Sequence, residues 1–306
     1  MRRLAPLLTL ALLATGCASV QESLYEAGLR AERRHAGLRP GAVETDLGRI
    51  AYLRREAPGP TLVLLHGFGA SKDHWVRMAQ HLPDSLALLA LDLPGHGASA
   101  FDPAATYDVP RLVAGVEAAL EPLGVGAYAR AGNSLGGLVA TRLALRQPDR
   151  VRALVLLDPA GVVPPEPSPF RERLATGANP LIPTTRAEYD TLLALAFNDP
   201  PDLPWPAERV IAREAIGRAP RHRRIWQDVN SPPDVVTADL PALAPPTLLV
   251  FGADDRIIDP SSARVWAAHV PDLTAVTVPD TGHAPMLERP AYTARLVADF
   301  LRRRAR

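Results

Sequence analysis

Cysteine and lysine are each present once, as Cys17 and Lys72. A single cysteine forms no intramolecular disulfide, and no His and Cys residues stand at metal-ligand spacing, which excludes a disulfide-stapled framework and a zinc module. The near-absence of lysine fits a GC-rich coding bias and carries no functional meaning. An excess of charge of one sign is also lacking. With 34 Lys and Arg against 33 Asp and Glu, there is no electrostatic reason for a nucleic-acid partner. No internal repeat or low-complexity tract occurs, and beyond the N-terminus no apolar run is long enough to span a bilayer. The 306 residues, 47% hydrophobic and 22% charged, have the composition of one large or two ordinary globular domains. The conspicuous surplus is proline, at 32.

The first segment, MRRLAPLLTLALLATGC, sets two arginines before an apolar run from Leu4 to Leu13, then small residues before Cys17. That is the layout of a secretory signal, too short for a permanent span. With the only cysteine directly after the small residues, it resembles the lipobox of bacterial lipoproteins, departing from it at Ala14 where leucine is usual. The resemblance implies a signal peptide over 1–16 and diacylation of Cys17, and two acyl chains suffice for stable anchoring. It implies a lipid-anchored protein of the bacterial cell envelope, with the outer membrane favoured because Ala18 and Ser19 contain no acidic retention signal. Residues 22–36 carry a loose helical pattern, expected to form a surface helix within a tether over 17–40 that takes no part in the chemistry.

From Val43 the pattern alternates short apolar runs with longer amphipathic stretches. RIAYLRR, TLVLLHG, LALLALD, AYARAG, ALVLLD, TLLVFG and TAVTV read as strands, and 72–81, 109–121, 135–146, 261–269 and 291–304 as helices. Apolar runs bounded by Gly, Pro and Asp suit strands buried on both faces, so a mostly parallel sheet flanked by helices is expected. The alternation stops between Gly161 and about Leu240. Seventeen of the prolines fall between Pro159 and Pro246, a density that ends helices and excludes central strands. We expect a helical cap over 161–240, inserted into an α/β core formed by 41–160 and 241–306. Helices within the cap are expected near 186–197 and 206–218.

Gly132-Asn133-Ser134-Leu135-Gly136 fits Gly-x-Ser-x-Gly. It follows the run AYARAG and opens the helical LGGLVATRLAL, which is the strand–turn–helix context of a nucleophile elbow. Ser134 needs a base to take its proton, and the base needs a partner to fix its tautomer. Of the eight histidines, only His283 lies in a loop just after the last strand, where it can reach the carboxyl edge of the sheet. His66, His96 and His269 suit packing or turn roles. Asp254 and Asp255 follow TLLVFG and supply candidate acids.

The order Ser, acid, His resembles the α/β-hydrolase superfamily from about Gly41 to Arg306. The family's Gly-x-x-Asp pattern selects Asp255, with Asp254 a solvated neighbour and Asp158, after the preceding strand, the minority alternative. The resemblance also implies an oxyanion hole built from the amides of Leu135 and Phe68, the latter in His66-Gly67-Phe68-Gly69. Asp92-Leu93-Pro94-Gly95-His96-Gly97-Ala98-Ser99 matches a family turn of structural role.

HGFGASKDHW, GNSLGG and NPLIPTTRAEYDTLLALAF are similar to bacterial lipases related to the monoacylglycerol-lipase branch. A serine carboxylic ester hydrolase acting on lipid-like or short-to-medium acyl esters is implied, requiring no cofactor or metal. Leu192, Leu193, Phe197, Trp205 and Trp226 are candidate acyl-pocket residues, each equally suited to packing the cap on the core. Two alternatives stand beside this reading. One is carbon–carbon hydrolysis of meta-cleavage products, whose enzymes share the GNS elbow but carry a glycine-rich run where this chain has LLDPAGVVP. The other is a non-catalytic envelope lipoprotein, against which the intact set of site residues argues.

Overall fold

The computed structural model describes residues 18–304. The signal peptide over 1–16 and Cys17 lie outside the described residues. Helix α1 (Ala18–His35) leads into β1 (Arg39–Val43) and β2 (Ile50–Arg55), followed by β3 (Thr61–Leu65), β4 (Ala87–Leu91), helix α2 (Val109–Leu120), β5 (Tyr128–Asn133), helix α3 (Leu135–Arg146) and β6 (Val151–Leu157). Four helices then occur without a strand: α4 (Pro169–Ala175), α5 (Arg186–Ala196), α6 (Ala207–Gly217) and α7 (Ala219–Val229). The sheet resumes with β7 (Thr247–Gly252), α8 (Ser262–His269) and β8 (Leu273–Val278), and the chain closes with α9 (Pro290–Arg304).

The strands form one sheet in the order β1-β2-β4-β3-β5-β6-β7-β8. β1 and β2 pair antiparallel and β3 to β8 run parallel. Alternate side chains feed two separate cores, as the strand period of two requires. Val63, Leu65, Leu89, Leu91, Leu154 and Phe251 pack against α2, α3 and α8. Leu62, Leu64, Leu88, Ala131, Val155 and Val250 pack on the opposite face with Trp75, Met78 and α9. Strands buried on both sides account for the continuous apolar runs in the sequence. β1, RPGAV, has no such run. It is an exposed edge, where Pro40 is tolerated because one side of the ladder is unpaired.

β3 lies between β4 and β5, so the chain leaves it in opposite directions, and the carboxyl ends of β3 and β5 border the crevice where open α/β sheets place ligands. The proline-rich helices lie over that edge. Two start where the sequence places a cap: Ser168 before Pro169 accepts from Arg171 N, and Thr185 accepts from Glu188 N. Arg142 of α3 pairs with Asp234 and Asp239, tying the end of this segment to the core.

Contrary to expectation, α1 is more than a surface tether. It packs on α6, with Arg213 donating to Gln21 at 2.7 Å, and is clamped to the core by Arg33, which donates two hydrogen bonds to Asp73 at 2.6 and 2.8 Å.

Candidate active site

Ser134 joins β5 to α3 with φ 54° and ψ −122°, a backbone conformation that costs a non-glycine residue strain and concentrates at functional sites. The flanking glycines allow it. A Cβ on Gly132 would stand 2.2 Å from the Gly136 carbonyl oxygen, and one on Gly136 would stand 2.2 Å from that of Leu65. α3 begins directly after the serine, so unsatisfied N–H groups and the positive end of its dipole face the space above Ser134.

His283 is held in a backbone cage. Its N–H donates to the Ala196 carbonyl at 2.8 Å, and its own carbonyl accepts from Asn133 Nδ2 at 3.0 Å. Asn133, whose role the sequence reading missed, also donates to Leu157 O at 3.1 Å and so fastens the His283 loop to the elbow. Glu288 adds a second tie, accepting from Gly282 N at 2.7 Å and from Asn198 N and Asp199 N, each at 2.9 Å.

His283 Nδ1 lies 2.7 Å from Asp255 Oδ2, and Asp255 Oδ1 accepts from Ile257 N and Ile258 N at 2.8 and 3.0 Å. A carboxylate oxygen facing Nδ1 requires the proton there, which leaves Nε2 free to act as a base. Asp255, and not Asp158, is therefore the partner of His283. Asp158 is fully buried behind this pair, its Oδ1 accepting from Gly252 N at 2.8 Å. Burial, reinforced by the charge of Asp255, holds its carboxyl well above the usual carboxylate range. Asp254 is half-buried beside the pair. Among the described residues, Asp158, Asp255 and His283 are the one group of three such side chains close enough to share a cation. The 2.7 Å approach of Nδ1 to Oδ2 accounts for two of them, His283 and Asp255, by a shared proton.

The His66–Gly69 loop runs against the elbow, so close that a Cβ on Gly67 would meet that of Ser134 at 3.1 Å. Among the described residues, the amides of Phe68 and Leu135 donate to no acceptor. His66 fixes the first of them. Its Nε2 accepts from Leu93 N at 3.0 Å, so Nδ1 carries the proton and donates to the Gly67 carbonyl at 2.7 Å. That carbonyl and the Phe68 N–H belong to one peptide plane, and holding the first aims the second the opposite way. Burial pushes the His66 ring down to about 3, so it stays neutral. The turn role expected of His66 thus reaches the site. Lys72, given no role from sequence, extends the same support: its N–H and Nζ donate to buried Asp92 at 2.7 and 2.8 Å, in the turn expected to be structural.

Ser134 and His283 open into a cavity of about 580 Å³. Leu192, Leu193, Phe197 and Trp205 line it as expected. Trp226 does not line it; its ring packs against Phe68 and Phe170 at 5.3 and 6.0 Å between centroids. The unexpected wall is α1, which contributes Leu24, Tyr25, Gly28 and Leu29. Their i, i+1, i+4, i+5 spacing marks one helical face, a signal present in the sequence.

The model of the alpha/beta hydrolase family matches residues 62–296. A monoacylglycerol lipase of Xenopus laevis is 29% identical over 266 residues, covering 83% of this chain and 79% of that protein. Lipase 1 of Psychrobacter immobilis is 29% identical over 240 residues, covering 77% and 75%. Among solved structures, a membrane phospholipase A described as a bacterial virulence factor superposes with a TM-score of 0.91 at 36% identity, covering 99% of this chain and 98% of that one. The fold, the serine elbow and these likenesses agree, and the chain belongs to the alpha/beta hydrolase family as a hydrolase of the lipase and esterase type.

Proposed function

We propose that the chain hydrolyses lipid esters carrying a single acyl chain in the cavity, with Ser134 as nucleophile, His283 as base and Asp255 as the acid that orients it. Ser134 Oγ attacks the ester carbonyl while His283 Nε2 takes its proton. The Phe68 and Leu135 amides hold the oxyanion, and His283 returns the proton to the leaving alcohol. Water activated by the same histidine then cleaves the acyl-enzyme. The observation that carries this reading is the apolar-walled cavity of about 580 Å³ with Ser134 and His283 opening into it, within the size range of small-ligand sites. The acyl chain lies along Leu192, Leu193 and Phe197, between the cap and α1.

Leu24 and Trp205, large apolar residues 46% and 51% exposed, stand on the wall of this cavity. α1 begins one residue after Cys17. We infer a diacyl anchor on Cys17 in the bacterial envelope, facing the periplasm or the cell surface, so that ester substrate is taken from the adjacent lipid. Monoacylglycerols and phospholipids are the substrates to try first, given the activities named for the relatives.

Ser134→Ala should abolish turnover across a chain-length series of p-nitrophenyl esters and monoacylglycerols while leaving the thermal transition in place. Undiminished turnover, or no Ser134 labelling by a fluorophosphonate in the folded wild type, overturns the assignment. Palmitate incorporation lost in Cys17→Ser supports the anchor, and an unlabelled wild type refutes it. Turnover of a vinylogous 1,5-diketone faster than of any ester would favour carbon–carbon hydrolysis instead.

A further inference from the structure

The proposed triad leaves one carboxyl unused. Asp158 directly follows β6 and has no solvent exposure. Its backbone is left-handed, φ 45°, and its N–H is bound to Val250 O at 2.8 Å, so the side chain is fixed in place by the sheet. Oδ1 takes the Gly252 N–H at 2.8 Å, while Oδ2 is buried with no partner that donates to it. The groups facing it are Asp255 after β7, His283 after β8 and Glu288 at the end of the short helix Pro285–Glu288 that follows. A ligating atom of Asp158, Asp255 and His283 each lies within 4.8 Å of the others.

Two carboxyl groups this close, both shielded from water, do not both ionise. The Asp255 carboxylate accepts at each of its hydrogen bonds, from Ile257 N, Ile258 N and His283 Nδ1. Asp158 has one such donor and an empty Oδ2. The single proton of the pair therefore belongs on Asp158, where an O–H on Oδ2 relieves its lack of a partner by donating towards Asp255.

We propose that Asp158 is a protonated positioning residue, a neutral carboxylic acid that hydrogen-bonds Asp255 from behind and limits the negative charge His283 feels. The inference rests on the triad reading above. It treats Asp158 as neither a spare acid nor a group that touches substrate. By withdrawing charge from Asp255, the donor keeps the His283 ring from becoming too basic, so more of it is free to accept the Ser134 proton near neutral pH.

Asparagine copies the protonated acid: its carbonyl takes the Gly252 N–H and its amide donates to Asp255. It also tolerates the left-handed backbone. Asp158→Asn should keep kcat/KM within about twofold, with the acidic limb of its pH profile unmoved. Asp158→Gly suits the backbone but removes the donor. It should lose about tenfold in kcat/KM, with the acidic limb moved to higher pH, and the asparagine variant then acts as the rescue.

A second readout needs no substrate. A carboxyl protonated in the folded chain and ionised in the unfolded one has a raised folded pKa, so the stability it contributes is present below its unfolded value and is lost as pH rises. The thermal midpoint of Asp158→Asn should therefore exceed that of wild type by a margin that widens from about pH 5 to about pH 8. A constant margin across that range, an acidic limb lowered in Asp158→Asn, or an unmoved limb in Asp158→Gly overturns the proposal. Failure of the triad reading would appear separately, as wild-type protein without esterase activity but with the thermal behaviour intact.

Discussion

The floor and the walls of the cavity are built on different principles. On the floor, Ser134, His283 and Asp255 stand at or just beyond the carboxyl ends of β5, β8 and β7, held by backbone hydrogen bonds and the helix that follows the elbow. The walls come from α1 and the proline-rich helices, segments far apart in sequence that meet through a few polar ties such as Arg213 to Gln21. Rigid strand ends suit chemistry that tolerates little displacement, whereas helices laid over them can vary in what they admit without disturbing the reacting atoms. Substitutions on the floor should therefore act on kcat, and substitutions on the walls on which ester is accepted.

The largest effect after loss of the serine is expected at the acid. Asp255→Asn replaces the carboxylate oxygen facing His283 Nδ1 with a group that permits the wrong tautomer. It should lower kcat by about 10³- to 10⁴-fold with KM little changed. A loss smaller than about tenfold would mean that His283 takes its orientation from elsewhere. Next comes His66→Ala, which frees the Gly67–Phe68 peptide plane while leaving the Phe68 amide in the chain. Aiming an oxyanion donor less well should cost about 10- to 10²-fold in kcat, below the cost of deleting one. The comparison with binding of a non-reacting substrate analogue, expected to stay near wild type, separates this from collapse of the loop.

What could be read from sequence follows the same division. Floor residues sit in short contiguous motifs whose spacing is dictated by local geometry. A Cβ at Gly252 would stand 2.0 Å from the Gly282 carbonyl oxygen, so the glycine of Gly-x-x-Asp is required by the close pass of the histidine loop. Seven of the described strands match apolar runs, and β1 was missed because an edge strand with Pro40 and Gly41 has no such run. Asn133 carries no assignment from sequence, and the turn role of His66 and the packing role of Trp226 are visible there only in general terms, because the partners that fix them lie on other elements: the His283 carbonyl, the Leu93 amide and the Phe68 ring. The face of α1 was visible as a helical stripe, but the sequence does not say what that stripe covers.

A wall prediction follows from Gly28. It lines the cavity, and a Cβ built on it meets nothing within 4 Å, so a larger side chain there occupies the space proposed for the acyl chain. Gly28→Leu should shift the preferred acyl length downward, with kcat/KM for long-chain esters reduced about tenfold relative to short ones and kcat on the shortest unchanged. It should also be neutral or stabilising, since leucine favours a helix over glycine. An equal loss on every chain length would place α1 on the floor side of the comparison.

The last effect falls on stability and leaves turnover aside: it concerns how the two regions stay joined. His222 of α7 packs against Phe68 at 5.6 Å and against His96 at 6.3 Å between ring centroids, so the His66–Gly69 loop is fastened to the helices above it by aromatic contact. Burial, with help from the charges of Arg218 and Arg221, lowers the His222 ring to about 4. A histidine depressed in the folded chain contributes stability that is complete above its unfolded value near 6.5 and is lost as pH falls towards its folded one. Between about pH 6.5 and about pH 4.5 the unfolded chain gains a proton that the folded one refuses, a loss of about 2 kcal/mol from this residue. His222→Phe keeps a ring against Phe68 and removes the titration. Urea unfolding at the two pH values should show the variant losing less stability than wild type by about that amount. Equal losses in both would mean that the ring already takes up its proton in the folded state, and that the join between the helices and the His66–Gly69 loop does not depend on a neutral histidine.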